Sequence, residues 1–171
     1  MTNLARPNGN ITGFSNFELS VFGKMLQIFK QMVPNITRVA LIFNPDNATA
    51  VYLSRLFGTL AAPLAVEPTL VPVHHPEQIE RAIDLFAREP NGGLVFPPDI
   101  TLSIYRELVI ATAARYRLPA IYSNPVMVQS GGLMYTDRIR GTFFDPARPG
   151  PHEACHFANK SSQSVRSSVT P

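Results

Sequence analysis

The sequence lacks the features that mark several common classes of protein. Its 171 residues contain one cysteine, Cys155, so no disulfide can form within the chain, and a disulfide-framework domain is excluded. No apolar run reaches the ~18 residues that a membrane-spanning helix needs. The segment Met1–Asn10 is polar and lacks the apolar core of a signal peptide. We therefore expect the chain as written to stay in the cytoplasm.

Charged residues are also scarce. They make up 16% of the chain, and the formal net charge is +3. The basic residues are spread along the sequence, whereas nucleic-acid-binding proteins usually cluster them on one face. Arg115 and Arg117 come nearest to a cluster, but cations in the last turn of a helix already have a structural reason. We therefore predict no nucleic-acid partner.

Known catalytic and metal-binding motifs are missing as well. The sequence has no G-x-S-x-G, G-x-x-x-x-G-K-[ST] or G-x-G-x-x-G pattern. His74 and His75 are adjacent on an extended segment, so they point to opposite faces and do not simply chelate one metal. His152, Cys155 and His156 lie in an irregular tail without a fourth ligand. We therefore predict no enzymatic activity, no metal and no cofactor.

Hydrophobic periodicity predicts strands that alternate with helices. Apolar residues between Phe22 and Val33 recur at helical spacing. Val39–Phe43 and Leu94–Phe96 are continuous apolar runs, which is typical of strands buried on both faces. Val66–Val73 contains two prolines, which favours an edge strand. The other predicted strands are Ile11–Phe14, Ala120–Tyr122 and Leu133–Tyr135, and the other helices are Asn47–Ala62, one from Pro76, Thr101–Tyr116 and Pro125–Ser130.

This alternation predicts the α/β fold class, with a doubly wound parallel sheet covered by helices on both faces. From Gly141 onward the composition changes to serine and proline without apolar periodicity. We expect residues 141–171 to be an irregular, disordered tail.

Polar residues follow several of the predicted strands. In open α/β sheets ligands bind beyond the carboxyl ends of the strands, so these residues are the candidate ligand-binding set. They are Ser15, Asn44, Asp46, Asn47, Thr49, Asp99, Thr101 and Tyr122. A helix N-terminus suits an anionic group, and Asp99 suits an ammonium group. Most of these residue types also commonly cap helices. For each residue taken alone, a role as a helix cap without ligand binding stays open.

Five segments in a fixed order carry a family resemblance. They are Asn10–Ser15, Arg38–Pro45, Ala87–Leu94, Leu118–Tyr122 and Gly131–Met134. Together they resemble the substrate-binding proteins of bacterial ABC transporters, in the group that includes tryptophan-type binding proteins, over roughly Leu4–Ile139. The resemblance implies a type I periplasmic binding protein, in which two Rossmann-like lobes close over a ligand. This chain looks like the second lobe.

The resemblance implies a division of the chain and a function. Residues 1–14 form a lead-in and crossover strand, residues 15–122 a Rossmann-like ligand-binding lobe, and residues 123–140 the return crossover. The loops that carry Asn44 and Asp99 face the ligand, and Ser15 and Tyr122 lie near the hinge. The implied function is solute binding for an ABC import system, with a small polar ligand such as an amino acid. The implied partner is an ABC permease, and the implied location is the periplasm.

Two alternatives remain open at this point. One is a flavodoxin-like enzyme or signalling domain, although Lys24 and Lys30 lie on an early helix and no lysine ends a later strand, as a phosphoacceptor domain would require. The other is a non-functional, truncated remnant. If a first lobe normally packs here, Phe14, Tyr122 and Met134 should be partly exposed, and that surface would favour homo-association.

Overall fold

The computed structural model describes residues 19–135, and these residues alternate between helices and strands. The predicted strand Ile11–Phe14, the residue Ser15 and the tail after Gly141 lie outside the described residues. The helices are Leu19–Met32 (α1), Ala48–Ala61 (α2), Pro76–Ala87 (α3), Ile100–Ile104 (α4), Arg106–Arg115 (α5) and Pro125–Gln129 (α6). The strands are Arg38–Phe43 (β1), Glu67–Pro72 (β2), Gly92–Phe96 (β3), Ala120–Tyr122 (β4) and Met134–Tyr135 (β5). Within the described part of the chain no helix is long and apolar enough to cross a bilayer.

The strands form one five-stranded parallel sheet in the order β2-β1-β3-β4-β5. The prediction that Val39–Phe43 and Leu94–Phe96 are buried strands of a parallel sheet is confirmed, and the two strands are neighbours. The two prolines of β2 predicted an edge strand, and among the described strands β2 pairs only with β1. After β1 the chain places β2 on one side of it, and then returns to place β3 on the other side. The gap between β1 and β3 is therefore the topological switch point, where ligands of such sheets usually bind.

Two hydrophobic layers cover the two faces of the sheet. Successive side chains of a strand point to opposite faces, so the continuous apolar run of β1 supplies both layers. Leu41 packs on one face with residues of α1 and α2. Ile42 packs on the other face with residues of α3 and α5. The doubly wound α/β class predicted from the sequence is confirmed by this arrangement.

One predicted helix is divided in two. The sequence predicted a single helix over Thr101–Tyr116, but the structure has α4 and α5 with a break at Tyr105, whose ψ is 24°. The hydroxyl of Ser103 donates to the carbonyl of Asp99 at 2.8 Å, and the guanidinium of Arg106 donates to the carbonyl of Ser103 at 3.4 Å. Such local side-chain bonds to the backbone compete with regular helix geometry. They give the break a physical cause that apolar spacing does not reveal.

Candidate functional site

The loops after β1 and β3 meet at the switch point. Residues 44–47 connect β1 to α2, and residues 97–99 connect β3 to α4. Both strands end at the same edge because the sheet is parallel. The sequence argument placed most of its candidate ligand-binding residues on these two loops and on the first turns of the helices that follow.

Asp99 is the centre of the contact between the two loops. It is buried, with 6% of its surface exposed, and it is the N-cap of α4. Its Oδ1 accepts hydrogen bonds from the backbone amides of Thr101 at 2.8 Å and Leu102 at 3.4 Å. Its Oδ2 accepts the backbone amide of Asn44 at 2.9 Å. A carboxylate has about four acceptor positions, so roughly one remains for a further donor.

Asn44 completes the connection from the β1 side. Its side-chain amide donates to the hydroxyl of Thr101 at 2.8 Å, and its Oδ1 accepts the backbone amide of Asp46 at 2.9 Å. The backbone and the side chain of Asn44 therefore both bond to the loop and helix that follow β3. This pairing fixes the distance between the two loops.

Asn47 is both a helix cap and a second bridge. Its Oδ1 accepts the backbone amides of Thr49 at 3.0 Å and Ala50 at 3.3 Å, and its Nδ2 donates to the carbonyl of Pro98 at 2.9 Å. Two amides at the start of α2 are thus already bonded to protein. The attraction that α2 offers to an anion comes mainly from its helix dipole.

Asp46, Thr49 and His74 form the exposed part of this edge. Asp46 Oδ2 lies 3.2 Å from Nδ1 of His74, and the side chains are 79% and 46% exposed. His74 follows β2, and sequence reasoning considered it only as a metal ligand. The signal that places it here is its position after the carboxyl end of β2 in the same parallel sheet. His75 next to it is the N-cap of α3.

Tyr122 is buried, and its position near a hinge stays a prediction. Its ring is 1% exposed and stacks on Phe96, with ring centroids 5.0 Å apart and an interplanar angle of 12°. Burial raises the pKa of Tyr122 above the usual value of 10. Met134 is also fully buried. The expectation that these two side chains are partly exposed is therefore wrong, because both pack into the layers that cover the sheet. Phe14, the third residue of that prediction, lies outside the described residues.

Ser123, the first residue after β4, was not among the candidate ligand-binding residues. It is 9% exposed, and it lines a small pocket together with Asp99 and Tyr122. The available signal was its position, since it is a small hydroxyl residue that directly follows a strand at the same edge as Asp99.

The polar groups of this edge are mostly uncharged donors and acceptors of hydrogen bonds. Residues 44–49 and 97–101 contain two carboxylates and several amide and hydroxyl groups, but no lysine or arginine. Among residues 19–135 there is no group of three histidine, cysteine or acidic side chains that could hold a metal ion. Asn44, Asn47, Asp99 and Thr101 come together, Asp46 and Thr49 lie on the exposed rim, and Ser15 falls outside the described residues.

Comparison with known proteins gives one family and several similar structures. The model of a family described as ABC transporter substrate binding protein matches residues 1–136. No curated protein matches the chain. An ABC domain from Streptococcus pneumonia, in complex with L-Trp, is similar over 80% of this chain and 47% of its own, at 19% identity and a TM-score of 0.68.

Two further solved structures have the same fold. A ligand-free, open substrate-binding protein with adhesive properties from Clostridium difficile matches over 80% of this chain and 46% of its own, at 16% identity and a TM-score of 0.64. A conserved domain protein from Vibrio cholerae matches over 68% of this chain and 40% of its own, at 19% identity and a TM-score of 0.60. This chain therefore spans less than half the length of the structures that it resembles.

Proposed function

Because the chain belongs to the ABC transporter substrate-binding protein family, we propose that it binds a small polar solute at the carboxyl edge of its sheet. The observation that carries the proposal is the meeting of Asn44, Asn47, Asp99 and Thr101 at the switch point between β1 and β3. The ligand is a small organic molecule such as an amino acid. L-tryptophan is the natural first probe, since the Streptococcus structure contains it.

The polarity of the site favours a zwitterion. The positive end of the α2 dipole favours the carboxylate of the ligand, and the remaining acceptor position of Asp99 favours its ammonium group. The bonds from Asn44 and Asn47 to the β3 side hold these groups in place before the ligand arrives. A site that is ordered in advance loses less entropy on binding.

The full function requires more than this lobe. We propose that the ligand is enclosed between this lobe and a second one, that the protein works outside the cytoplasm with an ABC permease, and that it catalyses no reaction. Self-association stays a prediction that sedimentation velocity can measure, and it no longer rests on Tyr122 or Met134, which are buried.

Amide chemical shifts measured by NMR test the proposal. The 171-residue chain is titrated with L-tryptophan and then with the other standard amino acids, up to about 10 mM. We expect at least one of them to shift the amides of Asn44, Asn47, Asp99 and Thr101 in a saturable manner. No saturable shift from any amino acid, or shifts confined to the amino edge of the sheet, would contradict the proposal.

A pair of matched variants separates the site from the rest of α2. Thr49 and Thr59 are both exposed, and they lie in the first and last turns of the same 14-residue helix, about 15 Å apart. Thr49→Ala should weaken binding by about threefold, the effect of losing one modest hydrogen bond. Thr59→Ala should leave binding unchanged. Equal effects of the two substitutions would show that binding does not occur at the start of α2.

A further inference from the structure

The outer side of β2 is a part of the molecule that the proposed ligand site does not use. β2 pairs with β1 through one side, and among the described strands none pairs with its other side. A strand at the end of a sheet usually presents a row of free N–H and C=O groups, on which another strand can pair. The chemistry of this outer side therefore decides whether the sheet can grow.

The hydrogen bonds to β1 show which residues of β2 face outward. The amide of Glu67 donates to the carbonyl of Thr37 at 2.8 Å, and the amide of Val73 donates to the carbonyl of Phe43 at 2.9 Å. The register between the two strands is continuous. The backbone groups of successive residues in a strand point alternately to its two sides, so the odd-numbered residues of β2 bond to β1. The even-numbered residues 68, 70 and 72 face outward.

Two of the three outward-facing residues are prolines. Pro68 and Pro72 have no backbone N–H, so Leu70 supplies the one outward donor of this six-residue strand. A further strand that paired along β2 would lose two of the three hydrogen bonds that it normally accepts. It would also meet the carbon atoms of two proline rings where hydrogen atoms normally point. For this reason proline within a sheet is confined to edges and bulges.

The rest of the strand has a composition that favours pairing. Thr69 and Val71 are good strand formers, and the apolar side chain of Leu70 between them is 49% exposed. Glu67 carries the only charge of the strand. An exposed and weakly charged edge strand is a typical site of edge-to-edge aggregation. Both prolines of β2 occupy outward-facing positions, where they oppose this tendency without removing a bond to β1.

We propose that Pro68 and Pro72 close the outer side of β2 to any further strand, so that the lobe neither pairs with a second copy nor captures an extended peptide there. The inference is independent of the proposed ligand site, which lies beyond the carboxyl ends of the central strands. Any self-association of the chain then uses another surface.

The direct test restores the two missing donors. Pro68→Thr and Pro72→Thr are combined in the full chain, because threonine favours strands and adds little apolar surface. The control combines Pro34→Thr and Pro90→Thr, two exposed prolines outside the sheet, so both double variants have the same composition. Amide chemical shifts are then followed by NMR while the concentration of each chain is raised to about 1 mM, and sedimentation velocity measures the mass.

The amide of Leu70 gives the decisive signal. We expect it to shift with concentration in the Pro68→Thr/Pro72→Thr variant, with a dissociation constant below about 1 mM. The wild type and the control variant should show no such shift at Leu70. A concentration-dependent shift of Leu70 in the wild type would overturn the proposal. A folded Pro68→Thr/Pro72→Thr variant whose Leu70 amide responds no more than that of the wild type would overturn it as well.

Hydrogen exchange in the wild-type chain tests the assignment of the two sides without any substitution. The amides of Thr69 and Val71 should exchange at least about 100-fold more slowly than that of Leu70, because they bond to β1 and Leu70 faces outward. Protection of Leu70 equal to that of its two neighbours would show that another group pairs with this side of β2. That result would overturn the proposal even if a proline variant fails to fold.

Discussion

The two gaps between the central strands differ in how their polar groups are used. Between β1 and β3, the side chains of Asn44, Asn47 and Asp99 are all bonded to protein groups across the gap. Between β3 and β4, the hydroxyl of Ser123 is buried and has no described partner. The two gaps share Asp99, which bonds across the first gap and lines the pocket of the second.

This difference predicts that substitutions at the two gaps affect stability differently. Bonds that are complete within the protein stabilise the fold and fix the shape of the crevice. A buried group without a partner destabilises the free protein and can recover that free energy only by bonding to something else. The comparison therefore predicts large losses of stability from changes at the first gap and almost none at the second.

The largest effect is expected for Asp99→Ala. The substitution removes the N-cap of α4 and leaves the backbone amide of Asn44 without its acceptor. We expect the free energy of unfolding to fall by about 2–4 kcal/mol, measured by urea denaturation. Asp99→Asn keeps one acceptor oxygen, so its free energy of unfolding should fall by less. A change below about 0.5 kcal/mol for Asp99→Ala would show that the carboxylate does not hold the two loops together.

The second effect is expected for Asn47→Ala, which removes both the cap of α2 and the bond to the carbonyl of Pro98. The free energy of unfolding should fall by about 1–2 kcal/mol in the same assay. Asn47→Ser separates the two roles, because serine caps well but does not supply the side-chain amide. The free energy of unfolding of Asn47→Ser should fall by about half as much as that of Asn47→Ala. An equal fall in the two variants would show that the effect comes from the bond to the carbonyl of Pro98 alone.

Much of the fold could be predicted from the sequence because the responsible signals are local. The continuous apolar runs of β1 and β3 identify buried strands, and Pro68 and Pro72 identify the edge position of β2. The meeting of Asn44 with Asp99 also followed from a general rule, since all strands of a parallel sheet deliver their following loops to one edge. For these features a pattern of a few residues is sufficient.

The remaining features depend on packing that no local pattern reveals. Tyr122 was expected to be partly exposed, but its ring is enclosed in the layer that includes Met127 of α6 and stacks on Phe96. The break between α4 and α5 depends on side-chain bonds from Ser103 and Arg106. The bond from the amide of Asn44 to Asp99 depends on the conformation of two loops at once. Residue type and spacing do not determine these contacts.

Thr101→Val measures how much a single hydrogen bond at the gap between β1 and β3 contributes to stability. Valine has nearly the shape of threonine, so the substitution removes the hydroxyl that accepts from the side chain of Asn44 and changes little else. We expect the free energy of unfolding to fall by about 1 kcal/mol in urea. The amide of Asn44 should also shift in the NMR spectrum. An unchanged stability would mean that water replaces the hydroxyl without loss.

Ser123→Ala is the counterpart of Thr101→Val at the second gap, and it should have the smallest effect on stability. Both substitutions delete one hydroxyl at the same edge of the sheet, but only the hydroxyl of Thr101 has a described partner. Removing an unpaired buried hydroxyl relieves the free energy lost when it left water, so we expect the free energy of unfolding to stay the same or rise by up to about 1 kcal/mol. Urea denaturation of the two variants side by side measures the difference. A loss of stability in Ser123→Ala as large as that in Thr101→Val would mean that Ser123 bonds within the free protein, and the contrast between the two gaps would then disappear.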